Sequence, residues 1–330
     1  MAELLFLALV ANSAPRVPAE SAPPPRMVGE FVELKTDTGT LYGSIDLPSG
    51  TGPWPLVLIH PGSGPTDRDG NSHLSPLQVL RNDSLKMLGR ALASRGIAAL
   101  RIDKRGIAAS AKAMGKEQDL RVETYADDAA EWIAHLRKDP RFTKIGIIGH
   151  SEGSLIVFLA AKKEKVDAIV SLCGLARPIQ DVLRAQLKPA LSKDLYEAAD
   201  KIMTELAAGH EVPEKEMPSS LKGLFRPSVQ PYLISEFKQD PAAILAKLDG
   251  PVLVISGTTD IQVPVEDGNR LAAAKPGIKH IVFDQMNHVL KRTEKPGKLE
   301  QLPLYSDPSI PLHPKLVDEL AAFLKQSFGK

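Results

Sequence analysis

Cysteine is nearly absent from this sequence, and neither sign of charge is in excess. Cys173 is the single cysteine in 330 residues, which excludes an intramolecular disulfide bond. It directly follows a predicted strand over residues 168–172. We therefore expect Cys173 to be a small buried side chain and not a nucleophile. The 41 basic residues nearly balance the 40 acidic ones, for a net charge of +1. This balance favours neither nucleic acid nor a membrane surface as a partner.

Ligand-binding motifs and long apolar runs are also missing. The sequence has no Cys/His metal spacing, phosphate-binding loop or dinucleotide fingerprint, so it predicts no metal site and no cofactor. An apolar stretch at residues 4–11 is too short for stable insertion across a bilayer. Small residues follow it, as in a secretory signal, although no Lys or Arg precedes it. We therefore expect a signal-like, flexible leader over residues 1–28 and export to the periplasm or the medium. If the segment is not a signal, a cytoplasmic location follows.

The motif GHSEG at residues 149–153 is the most informative feature that is present. An apolar strand over residues 144–148 precedes it, and helical patterning begins at Ser154. A tight strand-to-helix turn of this kind is a nucleophile elbow, which raises the Ser151 hydroxyl above the sheet, and its two glycines prevent a clash. A glycine-bounded turn without a catalytic role has the same pattern, so the interpretation depends on partner residues.

Partner residues for Ser151 follow in the order that such elbows require. Asp260 comes after an apolar strand over residues 251–256, and His288 comes after a strand over residues 279–283. A serine hydroxyl is a poor nucleophile near neutral pH, so a histidine must accept its proton and return it to the leaving group. A carboxylate holds the imidazole in one tautomer and stabilises the imidazolium. The sequence thus predicts a catalytic Ser151, His288 and Asp260.

Other residues compete for two of these roles. Asp260 itself can be read as a turn residue, and Asp267 and Asp284 are alternative carboxylates. We favour Asp260 for its position at the end of a strand. Among the histidines, His280 falls inside a predicted strand and His313 in a loop, so both are weaker candidates than His288.

Backbone amides are the expected donors to an oxyanion. One belongs to Glu152, the residue after the nucleophile, and the other to the loop after the third strand, residues 56–59. That loop runs HPGSGP, and its two prolines have no N–H to donate, so Ser63 is the predicted second donor. An ordinary Gly/Pro turn is the alternative. We expect the Glu152 carboxylate at the N-terminus of a helix, where negative charge is favoured.

Alternation of strands and helices predicts a mostly parallel central sheet with helices on both faces. The first two strands form an expected antiparallel hairpin over residues 30–35 and 39–46. A further strand is expected at residues 97–102, and a short helix lies at residues 270–274. Longer helices are predicted at residues 82–94, 124–137, 154–163 and 314–326.

A long segment separates the sixth strand, residues 168–172, from the strand at residues 251–256. It exceeds one crossover helix and predicts an inserted helical cap, with helices at residues 179–187, 195–206 and 241–248. The expected boundaries are a core at residues 29–174 and 249–330 and a cap at residues 175–248. Cap residues that are candidates to line a substrate pocket, or else to pack the cap onto the core, are Phe225, Tyr232, Leu233 and Phe237.

From about residue 31 onward the chain resembles the α/β-hydrolase superfamily. More narrowly, it is similar to a carboxylesterase-like branch related to the serine aminopeptidase S33 hydrolases. Besides the elbow, the family motifs that carry this resemblance are residues 62–71 (GSGPTDRDGN), 103–106 (DKRG) and 225–232 (FRPSVQPY). The resemblance implies the α/β-hydrolase fold and a bacterial esterase-like group, without a substrate. This chain has Ala108 and Ser154 where that group usually has glycine, and we expect Ala108 to stiffen its loop.

Two of the family motifs have a physical interpretation of their own. The polar residues 66–71 are expected to pair with one another or to order the oxyanion loop, with a solvated turn as the alternative. Asp103, Lys104 and Arg105 follow a strand, and we expect them to brace neighbouring loops by ion pairing, without a catalytic role.

The sequence therefore predicts a serine hydrolase that cleaves small-molecule carboxylic esters through an acyl-enzyme intermediate. An aminopeptidase or an acyl thioesterase with the same triad is an alternative. A non-catalytic binding protein on a hydrolase scaffold is another, because a fold alone does not give a function. The sequence leaves the oligomeric state open.

Overall fold

A computed structural model describes residues 29–75 and 78–329 of the chain. The predicted leader and its signal-like stretch lie outside the described residues. Among the described helices, none combines the length and the apolar character that crossing a membrane requires.

An eight-stranded sheet forms the centre of the molecule. Its strands are β1 (Glu30–Thr36), β2 (Gly39–Asp46), β3 (Trp54–His60), β6 (Ala98–Ile102), β7 (Phe142–His150), β8 (Ala168–Leu172), β9 (Val252–Gly257) and β10 (Lys279–Phe283). The order across the sheet is β1-β2-β6-β3-β7-β8-β9-β10. The β1/β2 and β2/β6 pairs are antiparallel and the remaining pairs are parallel. The predicted mostly parallel α/β sheet and its opening hairpin are confirmed.

Helices cover both faces of the sheet because the buried strands are apolar on both sides. On β3, Leu56 and Leu58 belong to one buried cluster, whereas Val57 and Ile59 belong to another. The first cluster includes side chains of α2 (Val122–Arg137) and α3 (Gly153–Ala161). The second includes side chains of α1 (Ser84–Ala93) and α11 (Leu316–Ser327). These are the four longer helices predicted for the core.

Five helices lie between β8 and β9, in the segment predicted as a cap. They are α4 (Ile179–Leu187), α5 (Lys193–Ala207), α6 (Lys222–Phe225), α7 (Gln230–Phe237) and α8 (Pro241–Leu245). The apolar faces of α4, α5, α6 and α7 share a buried cluster with the first turn of α2 and with α3, the helix that follows the elbow. Leu245 of α8 belongs instead to the cluster on the sheet. The cap segment therefore packs directly above the elbow.

Several elements differ from the sequence-based expectation. A small hairpin of β4 (Ser72–Ser75) and β5 (Gln78–Leu80) follows the oxyanion loop, and α10 (Lys298–Ser306) contains Pro303. Neither was predicted. The helix expected at residues 270–274 is the end of α9, Val265–Ala273. Short 3₁₀ turns are Ala108–Ala113, Glu117–Asp119, Glu214–Glu216, Ser219–Leu221 and Pro227–Val229.

Candidate active site

Ser151 stands at the turn between β7 and α3 with the backbone conformation of a nucleophile elbow. Its φ is 55°, in the left-handed region that side chains other than glycine rarely adopt. The Ser151 N–H donates to the Leu172 carbonyl of the neighbouring strand β8 at 2.9 Å. The residue is 6% exposed. The sheet thus fixes a strained backbone position, as strand–turn–helix sites do.

Both glycines of the motif are required by close backbone contacts. A Cβ on Gly149 would lie 2.3 Å from the carbonyl oxygen of Gly153. A Cβ on Gly153 would lie 2.6 Å from the carbonyl oxygen of Pro61, in the oxyanion loop. The glycines therefore let the elbow turn tightly and let the oxyanion loop approach it.

Asp260 and His288 form a buried pair beside the elbow. Asp260 Oδ2 lies 2.8 Å from His288 Nδ1, and both side chains are fully buried. The other Asp260 oxygen accepts the N–H groups of Gln262 and Val263 at 2.8 and 2.9 Å. These bonds hold the carboxylate toward the histidine. The structure brings together the acid and the base that the sequence singled out.

His150 connects this pair to the elbow. Its Nε2 lies 2.8 Å from the His288 carbonyl oxygen, and the two rings are 4.8 Å apart between centroids. Burial lowers the pKa of His150 to about 3, and the nearby His288 lowers it too. His150 is therefore neutral and donates to that carbonyl. This contact ties the His288 loop to the elbow, and sequence reasoning missed it.

The competing residues occupy other places. Asp267 accepts the Ala176 N–H at 3.0 Å and pairs with Arg177 at the base of the cap. Asp284 accepts a hydrogen bond from Thr258. His280 lies 3.1 Å from Ser256 Oγ, and His313 lies 3.1 Å from the Asp284 carbonyl oxygen. Each has a structural partner apart from the Asp260–His288 pair.

The backbone amides of Ser63 and Glu152 both lie close to Ser151 in the chain or in space. Within residues 29–75 and 78–329, no hydrogen bond is formed by the N–H of Ser63 or by that of Glu152. The loop that carries Ser63 approaches the elbow closely, since a Cβ on Gly62 would lie 3.1 Å from Ser151 Cβ. Gly64 supplies a φ of 66° at the turn. Both predicted oxyanion donors are thus buried at the elbow.

The Glu152 side chain joins the elbow to the cap. It is at the predicted N-terminus of α3, but it is buried, and its carboxylate accepts a hydrogen bond from Tyr232 Oη at 3.0 Å. Glu236 on α7 lies beside it. Burial raises the pKa of Glu236 well above its ordinary value, and the negative charge of Glu152 raises it further. Glu236 therefore favours its neutral form, which a solvated carboxyl group would not.

A cavity of about 270 Å³ begins beside Glu152 and the oxyanion loop. It is lined by Gly64, Pro65, Lys104, Ile107, Met114, Glu117, Leu120, Tyr125, Glu152, Gly223, Arg226, Val229 and Tyr232. Of the four predicted pocket residues, Tyr232 is part of this lining. Phe225, Leu233 and Phe237 pack in the buried cluster between cap and core, which was the alternative for them.

Among the charged residues of the family motifs, Asp103 and Arg105 form ion pairs, as expected. Arg68 pairs with Asp103 at 2.7 Å, and Arg105 Nε donates to Asp128 at 3.0 Å. At the mouth of the cavity, Arg226 Nε donates to Glu117 at 3.0 Å and so ties the cap to the core. Lys104 differs from the expected ion pairing, because its amino group donates to two backbone carbonyls of the oxyanion loop.

Two small residues that depart from the family pattern have clear local roles. Ala108 has a φ of 46°, so this loop uses a left-handed position without glycine. Ser154 Oγ donates to the Gly149 carbonyl at 3.0 Å and accepts from Ser171 Oγ at 2.9 Å. Ser154 therefore reinforces the elbow from beneath.

Cys173, Asp260 and His288 are the described group whose side chains are close enough to share a metal ion. Their ligand atoms lie within 4.8 Å of one another. However, Asp260 and His288 already bond to each other, and burial raises the pKa of the Cys173 thiol well above its ordinary value. A protonated thiol is a poor ligand, so the chemistry of this donor set fits an orienting pair better than a metal centre.

Known proteins resemble this chain in sequence. The family described as serine aminopeptidase, S33, matches residues 83–295, which include the elbow, Asp260 and His288. Esterase EstD of Thermotoga maritima is 28% identical over 263 residues, covering 79% of this chain and 60% of that protein. The chain thus spans about 60% of the length of this curated relative.

Solved structures share the fold. The structure titled as ferulic acid bound to Est1E from Butyrivibrio proteoclasticus has a TM-score of 0.59 at 18% identity, covering 91% of this chain and 100% of that one. The α/β hydrolase GrgF from Penicillium sp. sh18 has a TM-score of 0.59 at 19% identity, covering 91% of this chain and 99% of that one. With the sheet order, the elbow and the family match together, the chain belongs to the serine aminopeptidase S33 family and is an α/β hydrolase.

Proposed function

We propose that this protein is a serine esterase that cleaves small carboxylic esters through an acyl-enzyme intermediate. The observation that carries the proposal is the buried Asp260–His288 pair beside a serine in the left-handed elbow conformation. The name of the relative from Thermotoga maritima supports ester cleavage, as does the ease with which an alkoxide leaves compared with an amide nitrogen.

In this mechanism Ser151 Oγ attacks the ester carbonyl carbon while its proton passes to His288 Nε2. Asp260 holds the ring through Nδ1 and stabilises the imidazolium. The carbonyl oxygen, now negative, accepts from the Ser63 and Glu152 amides, each of which is worth about 3 to 4 kcal/mol to the transition state. His288 then protonates the leaving alkoxide, and a water molecule releases the acid by the same route.

An aminopeptidase is the second candidate, because a carboxyl pair lies beside the nucleophile. The Glu152 carboxylate lines the cavity with its negative charge, and Glu236 beside it favours the neutral form. A substrate ammonium group would suit such a charge. Ester cleavage remains the first candidate for two reasons. Tyr232 already donates a hydrogen bond to Glu152. Lys104 also lines the cavity, and its positive charge offsets the negative charge of Glu152.

Replacement of Ser151 by alanine tests the proposal. The wild type should hydrolyse p-nitrophenyl esters, and Ser151→Ala should lose at least about 10³-fold in kcat with its circular dichroism spectrum unchanged. Ser256→Ala is the matched control, since Ser256 is also buried and its hydroxyl lies 3.1 Å from a ring nitrogen of His280. It should keep its activity. Full ester hydrolysis by Ser151→Ala would refute the proposal.

A substrate panel separates the candidate activities. The same wild-type preparation is assayed on p-nitrophenyl esters, acyl-coenzyme A and amino-acid anilides. We expect the highest kcat/KM on esters. A preference for the anilides that is lost in Glu152→Gln, which removes the negative charge beside the cavity, would instead support the aminopeptidase.

A further inference from the structure

Lys104 packs against the oxyanion loop, and its amino group donates to that loop's backbone. The residue is 3% exposed. Its Nζ donates to the carbonyl oxygen of Gly62 and, at 2.8 Å, to that of Gly64. These two carbonyls are on either side of Ser63, the second proposed oxyanion donor. A side chain expected only to brace loops by ion pairing is therefore placed on the catalytic loop.

The geometry of the peptide bond gives the contact with Gly62 a direct effect on Ser63. The Gly62 carbonyl and the Ser63 N–H belong to one planar trans peptide, so they point in opposite directions. An ammonium group held against the oxygen fixes the direction of the N–H. It also draws electron density from the peptide, which strengthens that N–H as a donor.

The rest of the loop is restrained in the same way. Thr66 Oγ1 donates to the Ser63 carbonyl at 2.8 Å, so three consecutive carbonyl groups, at residues 62–64, accept hydrogen bonds from side chains. The donors to an oxyanion act best when they need no reorganisation during the reaction. Lys104 supplies two of these three side-chain bonds.

We propose that Lys104 is a positioning residue that orients and polarises the 62–63 peptide, so that the Ser63 N–H binds the developing oxyanion. The inference rests on the proposed function. A donor aimed at negative charge binds the transition state more tightly than the neutral ester. Loss of Lys104 should therefore lower kcat and leave KM nearly unchanged.

Lys104 also lines the substrate cavity, so direct contact with the substrate is the competing explanation. The ring of Tyr125 lies 5.7 Å from its Nζ on the same side. A substrate-binding lysine would act on KM. The division of the effect between kcat and KM separates the two roles.

The test compares Lys104→Met with the wild type on a p-nitrophenyl ester and on a trifluoromethyl ketone inhibitor. Ser151 Oγ adds to the ketone carbonyl, its proton passes to His288, and the carbonyl oxygen becomes an oxyanion. We expect kcat to fall about 10- to 100-fold, KM to stay within about threefold, and inhibitor affinity to fall by the same factor as kcat. Lys275→Met is the matched control, because Lys275 also donates to a backbone carbonyl, that of Leu248. It should behave as the wild type does.

Unchanged kcat in a folded Lys104→Met variant would overturn the proposal, and so would a raised KM with kcat intact. If circular dichroism shows that this variant does not fold, Lys104→Gln is judged by the same criteria. An inactive wild type that also fails to react with the ketone would reject the proposed function and this inference with it. If the wild type is active and the Lys104 variant has the same kcat, the proposed function stands and only the role of Lys104 is rejected.

Discussion

At the scale of single residues, the site depends on orientation. Ser151, Asp260 and His288 each need a neighbour that fixes the direction in which a proton or lone pair points. Asp260 receives two backbone N–H bonds, and His288 is bound through its ring and through its carbonyl. These contacts orient the candidate acid and base within the folded chain.

Asp260→Asn tests whether orientation of His288 limits catalysis. The amide oxygen can keep the two backbone bonds, so the fold should persist. The amide NH₂, however, favours the wrong tautomer of His288, and kcat should fall about 10³-fold or more. Steady-state kinetics with a p-nitrophenyl ester measures the loss.

Asp284→Asn is the control for that substitution, because Asp284 also follows a strand in this region but bonds to Thr258. It should change kcat by less than about threefold. Equal losses in the two variants would mean that Asp260 has no special role.

The order of Ser151, Asp260 and His288 could be read from the sequence because each follows a strand-length apolar run. The contacts of Glu152 could not, because its partner Tyr232 is 80 residues away and comes from the cap. Likewise, His150 has no sequence signal beyond its place in the elbow motif. Such contacts depend on tertiary packing, and local patterns do not encode them.

At the scale of elements, the parallel strands bring distant loops to one edge of the sheet. The loops after β3, β7, β9 and β10 carry Ser63, Ser151, Asp260 and His288 in turn. The carboxyl ends of parallel strands share an edge, where ligands bind in such sheets. The fold therefore explains why residues far apart in the chain meet.

Strands were easier to predict than helix ends. Two strands have the predicted limits, the buried Ala168–Leu172 and the edge strand Lys279–Phe283. The start of α9 was wrong by five residues, because its first turn, with Glu266 and Asp267, has little apolar patterning. Acidic residues after Pro264 were the available signal, since negative charge favours a helix N-terminus.

At the scale of the whole molecule, the buried histidines link stability to pH. Burial lowers the pKa of His60 to about 3, and the charge of Lys104 lowers it as well. An unfolded chain protonates this histidine near pH 6.5, whereas the folded protein takes up the proton only near pH 3. The stabilising contribution is therefore complete above pH 6.5 and is lost as the pH falls toward 3. His150 behaves in the same way.

His60→Asn should remove part of this pH dependence. When the pH falls from 7 to 5, one such histidine lowers the free energy of unfolding by about 2 kcal/mol. The reason is that each extra proton bound by the unfolded chain contributes about 1.4 kcal/mol per pH unit. Urea unfolding at pH 7 and at pH 5 measures the effect. The free energy of unfolding of the variant should fall between these pH values by about 2 kcal/mol less than that of the wild type. His210→Asn removes an exposed histidine and should leave the wild-type dependence intact. An undiminished loss in His60→Asn would contradict the account.

The central claim is that the fold activates one serine for covalent catalysis. The most direct measurement is mass spectrometry of the protein after reaction with a fluorophosphonate probe, with the modified peptide sequenced. The account predicts a single phosphonyl adduct on Ser151 that is absent from Ser151→Ala and slow to form in Asp260→Asn. An adduct on another residue, or no adduct on a folded wild-type protein, would contradict it.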